Sequence, residues 1–238
     1  ASDVYKRQHL TRRVAMQLVH ETVLTGKLEL FKSVSVNTLT NKFCYDNYVR
    51  GKKRNEEAGE VVDICGVCYS YDMLKGFRKN TAPALQRNSD LLPVRELKPH
   101  EIPFIMDAYY RFDAHGELIT ETVDGVKYPK FNHIENYCRI AEHNPHCNFA
   151  LWTKRTDIIG PFFDQREKPA NLILIYSNKK VGTILSKPPR HFDRTFNNVL
   201  EHEHKEKQNC TGQKCKNCLL CYIPNNGITT IVEKVKKY

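Results

Sequence analysis

The segment "ANLILIYSNK", residues 170–179, constrains the fold more than any other part of the chain. Its apolar residues follow one another without the polar alternation of a strand that has one solvated face. Such a run is typical of a strand buried on both faces. Strand-like segments also occupy residues 28–38, 108–118 and 148–154, and helix-like segments lie between them. This alternation predicts an α/β fold with a mainly parallel sheet and right-handed crossovers.

The segments between the strands carry helical patterns of apolar residues. Helices are predicted over residues 9–20, 69–77, 81–92 and 130–145. We expect the charged, glycine-containing residues 49–60 to form a loop, and residues 157–167 to form a short helix or a turn broken by Pro161.

Several chemically versatile side chains follow the predicted strands. Functional groups in parallel sheets gather at the carboxyl ends of the strands. The residues at these positions are Cys44 after the first strand, His115, Gly116 and Glu117 after the second, Thr153, Lys154 and Arg155 after the third, and Ser177 and Asn178 after the fourth. This coincidence predicts a functional site at one edge of the sheet. A solvated loop histidine and surface charge are the simpler interpretations of His115, Lys154 and Arg155.

The composition indicates a globular protein with a basic surface. Of the 238 residues, 40% are hydrophobic and 27% are charged, and the net charge is +10. We recognise no signal peptide and no apolar run near the ~20 residues of a membrane span, so we expect a cytoplasmic protein without a membrane partner. The charge favours an acidic partner such as nucleic acid, although the basic residues are scattered and a solvated basic surface explains them nearly as well.

Nine cysteines without a secretory signal favour metal binding in a reducing compartment. Cys138 lies in the helix-like run "HIENYCRIAEH" and Cys147 stands just before a strand, so we assign both to the core. The other seven form two groups. The triad comprises Cys44, Cys65 and Cys68, and the quartet comprises Cys210, Cys215, Cys218 and Cys221.

The spacing of the quartet, C-x4-C-x2-C-x2-C, is tight for structural zinc, whose ligands usually come as two separated knuckles. Its C-x4-C-x2-C step matches a spacing that wraps an iron–sulfur cluster. The triad could hold a four-iron cluster with one iron left open, which is typical of a reactive site. Four thiolates would give every iron of a cluster a protein ligand, which suits a structural or electron-relay role. Zinc stays the alternative for both groups, including ions shared between them.

An ordered series of segments resembles the phage gene product 88 family over residues 28–236. The segments are "VNTLTNKFC", "ICGVCYS", "RFDAHGEL", "IAEHNPHCNFALWTKR", the "CxxCxxCY" pattern and "IVEKVK". More distantly the chain is similar to the radical S-adenosylmethionine (SAM) enzymes. This resemblance implies a partial (β/α) barrel, and a cytoplasmic setting in a bacterium or a phage-infected cell.

The resemblance to radical SAM enzymes also implies a chemistry. The triad would hold a [4Fe–4S] cluster whose open iron chelates the amine and carboxylate of SAM, with Tyr69 in the aromatic position after the last cysteine. Gly116 and Glu117 would receive the SAM amine, because glycine permits close approach and a carboxylate pairs with an ammonium. An ordinary turn is the alternative interpretation of "AHGEL". The quartet resembles an auxiliary cluster.

Taken together, these patterns predict an iron–sulfur, radical SAM-like enzyme with one or two [4Fe–4S] clusters, an electron donor and an unknown substrate. We expect Thr153, Ser177 and Asn178 to contribute to the SAM site. Residues 1–8 resemble a translated adapter sequence, residues 9–200 would form the partial-barrel domain, and residues 201–238 a cysteine-rich segment. The alternative function is a zinc-stabilised, basic nucleic-acid-binding module without catalysis.

Overall fold

One seven-stranded sheet organises the part of the chain that the computed structural model describes, residues 18–120 and 131–235. Its strands are β1 (Glu21–Val23), β2 (Lys32–Val34), β3 (Tyr109–Phe112), β4 (Asn148–Thr153), β5 (Leu172–Val181), β6 (Arg194–Val199) and β7 (Thr230–Lys234). Their order in space is their order in the chain. β1 runs antiparallel to β2, and every other neighbouring pair is parallel.

Helices lie in most of the connections between the parallel strands. They are α1 (Lys42–Ala58), α2 (Tyr69–Lys75), α3 (Ala82–Leu91), α4 (Asn132–His143), α5 (Thr156–Phe163) and α6 (Cys215–Cys218). Short 3-10 turns occupy Gly26–Leu28, Ile64–Val67, Lys79–Thr81, Pro99–Glu101 and Lys205–Lys207. The predicted α/β class with a mostly parallel sheet is confirmed. Among the described helices, none has the length and apolar character needed to cross a bilayer.

The two faces of the sheet carry separate cores. On the helix-covered face, the ring of Phe112 stacks on Tyr137 at 4.1 Å and on Phe149 at 4.9 Å between centroids. Cys138 and Cys147 are fully buried in this core, as predicted. On the second face, apolar residues of the strands pack against the cysteine-rich segment, which contributes a buried tyrosine, Tyr222.

The elements with the clearest sequence patterns are confirmed. Leu172 to Ile175 of β5 are all buried, as expected for a strand covered on both faces. The helices expected over residues 69–77, 81–92 and 130–145 are α2, α3 and α4. The first predicted strand is shorter than expected, because only Lys32–Val34 pairs as β2.

Most of the helix expected at residues 9–20, and all of residues 1–8, lie outside the described residues. β1, β6 and β7 were not predicted. β7 belongs to the cysteine-rich segment 201–238 and pairs with β6, so this segment completes the same sheet.

The expected loop at residues 49–60 is wrong, because α1 runs through it to Ala58. The side chain of Asn41 caps the start of α1 by accepting a hydrogen bond from the Cys44 amide. Gly59, at φ 68°, closes its carboxyl end in the left-handed conformation that glycine adopts without strain. A short helix, α5, was one of the two expectations for the segment after β4, but the predicted break at Pro161 is wrong, since α5 continues through it.

His133 of α4 makes the fold sensitive to acid. It is almost fully buried, and its Nδ1 accepts the Ile119 amide at 3.0 Å. Burial, together with the charge of Arg155, lowers the pKa of His133 from 6.5 to about 3. Between these values the unfolded chain binds the proton and the folded chain does not, so the free energy of unfolding falls as the pH drops from 6.5 towards 3.

We expect His133→Asn to flatten this pH dependence, because asparagine can accept the Ile119 amide but does not titrate. Each pKa unit corresponds to ~1.4 kcal/mol, so the two stability profiles should diverge by several kcal/mol across the window. Urea unfolding at a series of pH values measures the difference. His100→Asn, at an exposed histidine, is the control. Parallel profiles for wild type and His133→Asn would contradict the prediction.

Candidate metal and cofactor site

The first crossover connection carries the cysteine triad. Cys44 lies in the first turn of α1, Cys65 lies in the 3-10 turn Ile64–Val67, and Cys68 caps the start of α2. All three are free thiols and are partly buried. The residues between Cys44 and Cys65 therefore form a helix that leaves the sheet edge and a segment that returns to it.

A close backbone contact holds the returning segment on α1. A Cβ atom added to Gly51 would lie 2.5 Å from the Gly66 amide nitrogen, and one on Gly66 would lie 2.5 Å from the Gly51 carbonyl carbon. Asn55, one turn further along α1, accepts the amides of Val62 and Asp63 and donates to the Asp63 carbonyl. The absence of a side chain at both glycines permits this approach.

The returning segment also reaches the fifth strand. The Val181 amide at the end of β5 donates to the Val62 carbonyl at 3.0 Å, and Asp63 pairs with Lys180 as an isolated bridge. The buried Asp63 carboxylate accepts the Cys65 amide at 3.0 Å. The segment that carries Cys65 is therefore anchored to both α1 and β5.

Glu117 forms the polar centre of the site. Its buried carboxylate accepts the Thr153 hydroxyl at 2.6 Å and the Lys154 amide at 3.2 Å, and it pairs with the Lys154 ammonium at 3.2 Å. Its backbone carbonyl accepts the side chain of Asn41, the residue that caps α1. The structure therefore brings together Glu117, Thr153 and Lys154, as the strand-end pattern predicted. The interpretation of Lys154 as surface charge is wrong.

Lys154 also interacts electrostatically with the triad. Burial alone would lower the pKa of its ammonium, but Cys65, Glu117 and the other two triad thiols raise it overall. Burial raises the pKa of Cys65 to about 11 and also raises the pKa of Cys44 and Cys68, while Lys154 opposes each increase. The three thiols therefore lie within electrostatic reach of one ammonium group, and each has to lose a proton before it can bind a metal.

His115 and Tyr69 join the triad segment to β3. The Tyr69 hydroxyl donates to the Ala114 carbonyl at 2.5 Å, and His115 Nδ1 lies 2.8 Å from the Ser70 hydroxyl. His115 is buried, and burial together with positive charge from Arg111 and a second arginine lowers its pKa to about 4. The expectation of a solvated loop histidine is wrong, because the ring packs against the start of α2.

Gly116 has a packing role. Its φ is +81°, and an added Cβ would lie 2.7 Å from the Val36 carbonyl oxygen, just beyond the end of β2. Its amide donates to the Thr38 hydroxyl at 2.8 Å. This geometry agrees with the alternative interpretation of "AHGEL", which was an ordinary turn. A contact between Gly116 and SAM stays a prediction.

Arg155 is buried rather than on the surface as expected. It donates to the Leu118 carbonyl at 2.6 Å and pairs with Asp157 at 2.9 Å. Its guanidinium lies 4.6 Å from the ring centroid of Phe43, the residue before Cys44. Arg155 therefore supports the first turn of α1 from the β4 side.

Ser177 and Asn178 do not follow the fourth predicted strand, because β5 runs on to Val181 with an irregular register from Ser177 onward. Asn178 is buried and donates to the Thr183 carbonyl at 2.8 Å and to the Asn197 side chain at 3.2 Å. These partners give Asn178 a structural role in the β5–β6 region. A contact between either residue and SAM stays a prediction.

The quartet lines one small pocket on the second face of the sheet. The wall consists of Cys210, Cys215, Cys218 and Cys221 together with Gln213, Leu219, Leu220, Tyr222 and Ile231. Burial raises the pKa of Cys221 to about 12 and also raises that of Cys215. Lys27 Nζ lies 3.7 Å from the Cys210 sulfur and pairs with Glu233 of β7. The quartet therefore resembles the triad in having an ammonium group beside its thiols.

The metal-binding character of the cysteine groups stays a prediction. Within residues 18–120 and 131–235, no set of three or more His, Cys, Asp or Glu side chains has the arrangement to hold a metal ion. Comparisons of the chain with protein-family models, with characterised proteins and with solved structures found no match.

The residues that hold the returning segment were missed from the sequence. They are Gly51, Asn55, Asp63 and Gly66. Their roles become recognisable only when residues 49–58 are known to be helical, because helical spacing then places the first two on the face that carries the first triad cysteine. Arg111, whose charge acts on Cys215 and Cys221 of the quartet, was missed as well, because it stands inside a strand rather than after one.

We expect Gly51→Ala and Gly66→Ala each to destabilise the fold by about 2–3 kcal/mol, because the added methyl group forces two backbones apart. Urea unfolding of the full chain measures this change. The matched control is Gly160→Ala in α5, where an added Cβ meets no atom within 4 Å; helix propensity predicts a neutral or slightly stabilising effect there. Equal stabilities of the Gly66 and Gly160 variants would contradict the close contact.

Proposed function

We propose that this chain is a radical SAM-like iron–sulfur enzyme on a partial (β/α) barrel. The observation that carries the proposal is the ion pair of Glu117 with Lys154 at the carboxyl ends of the parallel strands, together with the electrostatic influence of the three triad thiols on the Lys154 ammonium. Parallel α/β sheets bind their ligands at this edge. Kinship with the phage gene product 88 family, based on the resemblance of the sequence segments, is part of the same proposal.

The sheet topology supports the barrel. β2 to β7 are parallel and follow one another in space as they do in the chain. Because parallel crossovers are almost always right-handed, the sequential order of β2 to β6 puts their crossovers on one face, where α4 and α5 pack, and leaves the other face free to curve inward. The connection between β6 and β7 is the exception. The cysteine-rich segment packs on that second face, where a barrel would have its interior.

The chemistry of the cysteine thiols, rather than a metal-holding arrangement among the described residues, supports iron–sulfur clusters as the proposed cofactors. The triad offers three partly buried free thiols beside one ammonium group, and the quartet offers four thiols in the wall of one pocket. Three thiolates would leave one iron of a four-iron cluster without a protein ligand. When bound there, such a cluster together with SAM supplies an adenosyl radical by reductive cleavage of a carbon–sulfur bond.

Lys154 and Glu117 would have distinct roles. Deprotonated thiols carry negative charge, and the Lys154 ammonium offsets it in a partly buried setting. The Glu117 carboxylate already pairs with Lys154. A SAM amine at Glu117 would therefore share this carboxylate with Lys154 or replace its ammonium. The Thr153 hydroxyl orients the carboxylate for either partner.

We expect the chain purified without oxygen to hold about 8 iron atoms when both groups carry a [4Fe–4S] cluster, and its visible spectrum to change on addition of SAM. Replacing Cys44, Cys65 and Cys68 by alanine should remove about 4 iron atoms and the response to SAM. Replacing the four cysteines of the quartet by alanine should remove the other cluster and leave the response to SAM unchanged. Iron and sulfide analysis with anaerobic spectroscopy provides the measurement.

The control for this experiment is the double variant Cys138→Ala and Cys147→Ala, which removes two thiols from the core and should leave the iron content unchanged. A colourless protein with zinc and no iron, prepared in the same way, would contradict the proposal. Zinc-stabilised binding of nucleic acid would then be the function to test.

Lys154 provides a separate prediction. Lys154→Met should shift the reduction potential of the triad cluster to more negative values, because the lost cation stabilises the reduced, more negative cluster. The expected shift is on the order of tens of mV. Redox titration followed by electron paramagnetic resonance measures it. Lys42→Met is the matched control, since Lys42 starts the helix of Cys44 but is exposed and pairs with Asp46. Identical potentials in the two variants would show that Lys154 has no specific role.

A further inference from the structure

Arg111 of β3 lies on the second face of the sheet. Its neighbours in the chain, Tyr110 and Phe112, belong to the core on the helix-covered face, so strand alternation directs Arg111 to the opposite side. Its partners in register are Ser33 of β2 and Ala150 of β4. Arg111 therefore lies on an interior strand of the sheet. A charged side chain at such a partly buried position normally has a partner.

Among residues 18–120 and 131–235, the guanidinium group of Arg111 forms no ion pair, although its charge acts on the buried Asp113 carboxylate and opposes the rise in the pKa of that group. It lies 4.2 Å from the centroid of the Trp152 ring, a stacking contact that uses none of its hydrogen-bond donors. Its Nε is buried without a hydrogen-bond partner in this part of the chain. The residue as a whole keeps partial contact with solvent, so a ligand can reach the group.

Other arginines that are buried or half-buried differ in this respect. Arg155 binds a backbone carbonyl and an aspartate, Arg166 pairs with Glu135, and Arg194 donates to backbone carbonyls of the cysteine-rich segment. Each of these side chains has a structural reason for its position. Arg111 has its aromatic neighbour, which fixes the guanidinium plane and leaves its edge free to bind an oxyanion.

A second polar group without a partner lies in the same surroundings. The hydroxyl of Tyr222 is buried and makes no hydrogen bond within the described chain. The Tyr222 ring lies 5.7 Å from Trp152 and 6.2 Å from Tyr109, and both of these residues belong to the second face. Buried polar atoms rarely lack a partner. An oxyanion beside Arg111 could accept hydrogen bonds from both groups.

The charge of Arg111 acts on two cysteines of the quartet and on two residues that join the triad segment to β3. In the quartet, burial raises the pKa of Cys215 and Cys221, and the charge of Arg111 opposes this increase. Near the triad, the same charge acts on Tyr69 and His115.

We propose that Arg111, stacked on Trp152, is a substrate-binding residue that recognises a carboxylate or phosphate oxyanion, with the Tyr222 hydroxyl as a second donor. This inference rests on the proposed function where it assigns the anion to a substrate. The binding of the anion depends only on Arg111 and its neighbours. The substrate class is therefore an organic acid or a phosphate ester.

The experiment uses the full chain as purified anaerobically, with benzoate and inorganic phosphate as probes. Isothermal titration calorimetry measures their affinities, and the fluorescence of Trp152, the one tryptophan in the sequence, reports binding at this place. Arg111→Gln should weaken the preferred probe about 10-fold or more. Arg111→Lys should weaken it less, because lysine keeps the charge and loses the two-pronged geometry. Tighter binding of benzoate identifies a carboxylate, and tighter binding of phosphate identifies a phosphate ester.

The matched control is Arg50→Gln, at an exposed arginine of α1, which should bind the probe as wild type does. No binding of either probe by wild type, or equal affinities in wild type and Arg111→Gln, would overturn the inference. Iron content separates this failure from that of the proposed function. A chain that binds the anion through Arg111 but holds no iron keeps the anion site and loses the radical chemistry. A chain that holds iron and responds to SAM but binds neither probe keeps the radical chemistry and loses the anion site.

Discussion

The buried carboxylate of Glu117 is the interaction on which the sheet edge depends. A charge that is removed from water has to be paired and hydrogen-bonded, and Glu117 meets this requirement with Thr153 and Lys154 at the end of β4. Its backbone carbonyl accepts Asn41, whose own side-chain oxygen accepts the Cys44 amide. Glu117 therefore connects the segments that follow β2, β3 and β4, and it holds the lysine ammonium within electrostatic reach of the triad thiols.

The chain between Cys44 and Cys65 consists of α1 and a returning segment that packs against it. The helix carries the chain away from the sheet, and the contact between Gly51 and Gly66 brings it back along the same helix face. A backbone hydrogen bond from the end of β5 then fixes the returning segment to the sheet. The position of Cys65 therefore depends on the packing of this segment rather than on its spacing from Cys44 in the sequence.

The part of the site that could be predicted is the part set by strand ends. β3 and β4 have clear patterns, so Glu117, Thr153 and Lys154 were expected at one edge and lie there. Ser177 was misplaced because its strand continues past the apolar run, supported by a partner that is distant in sequence. The helix at residues 49–58 was missed because its apolar content is low, and the glycine within it argues against a helix until its close contact with the returning segment is known.

The quartet has a structural consequence that the triad lacks. The connection from β6 to β7 contains all four of its cysteines, so β7 can join the sheet only when this segment is folded over the second face. Hydrogen bonds from Arg194 to backbone carbonyls, and apolar contacts of Tyr222, hold the segment on this face. A metal group at the quartet would add to these contacts and stabilise an edge strand, since binding energy at a folded site is folding energy. If the proposed function is correct, loss of the quartet should therefore affect the sheet more directly than the chemistry proposed for the Glu117 edge, as expected of a supporting group.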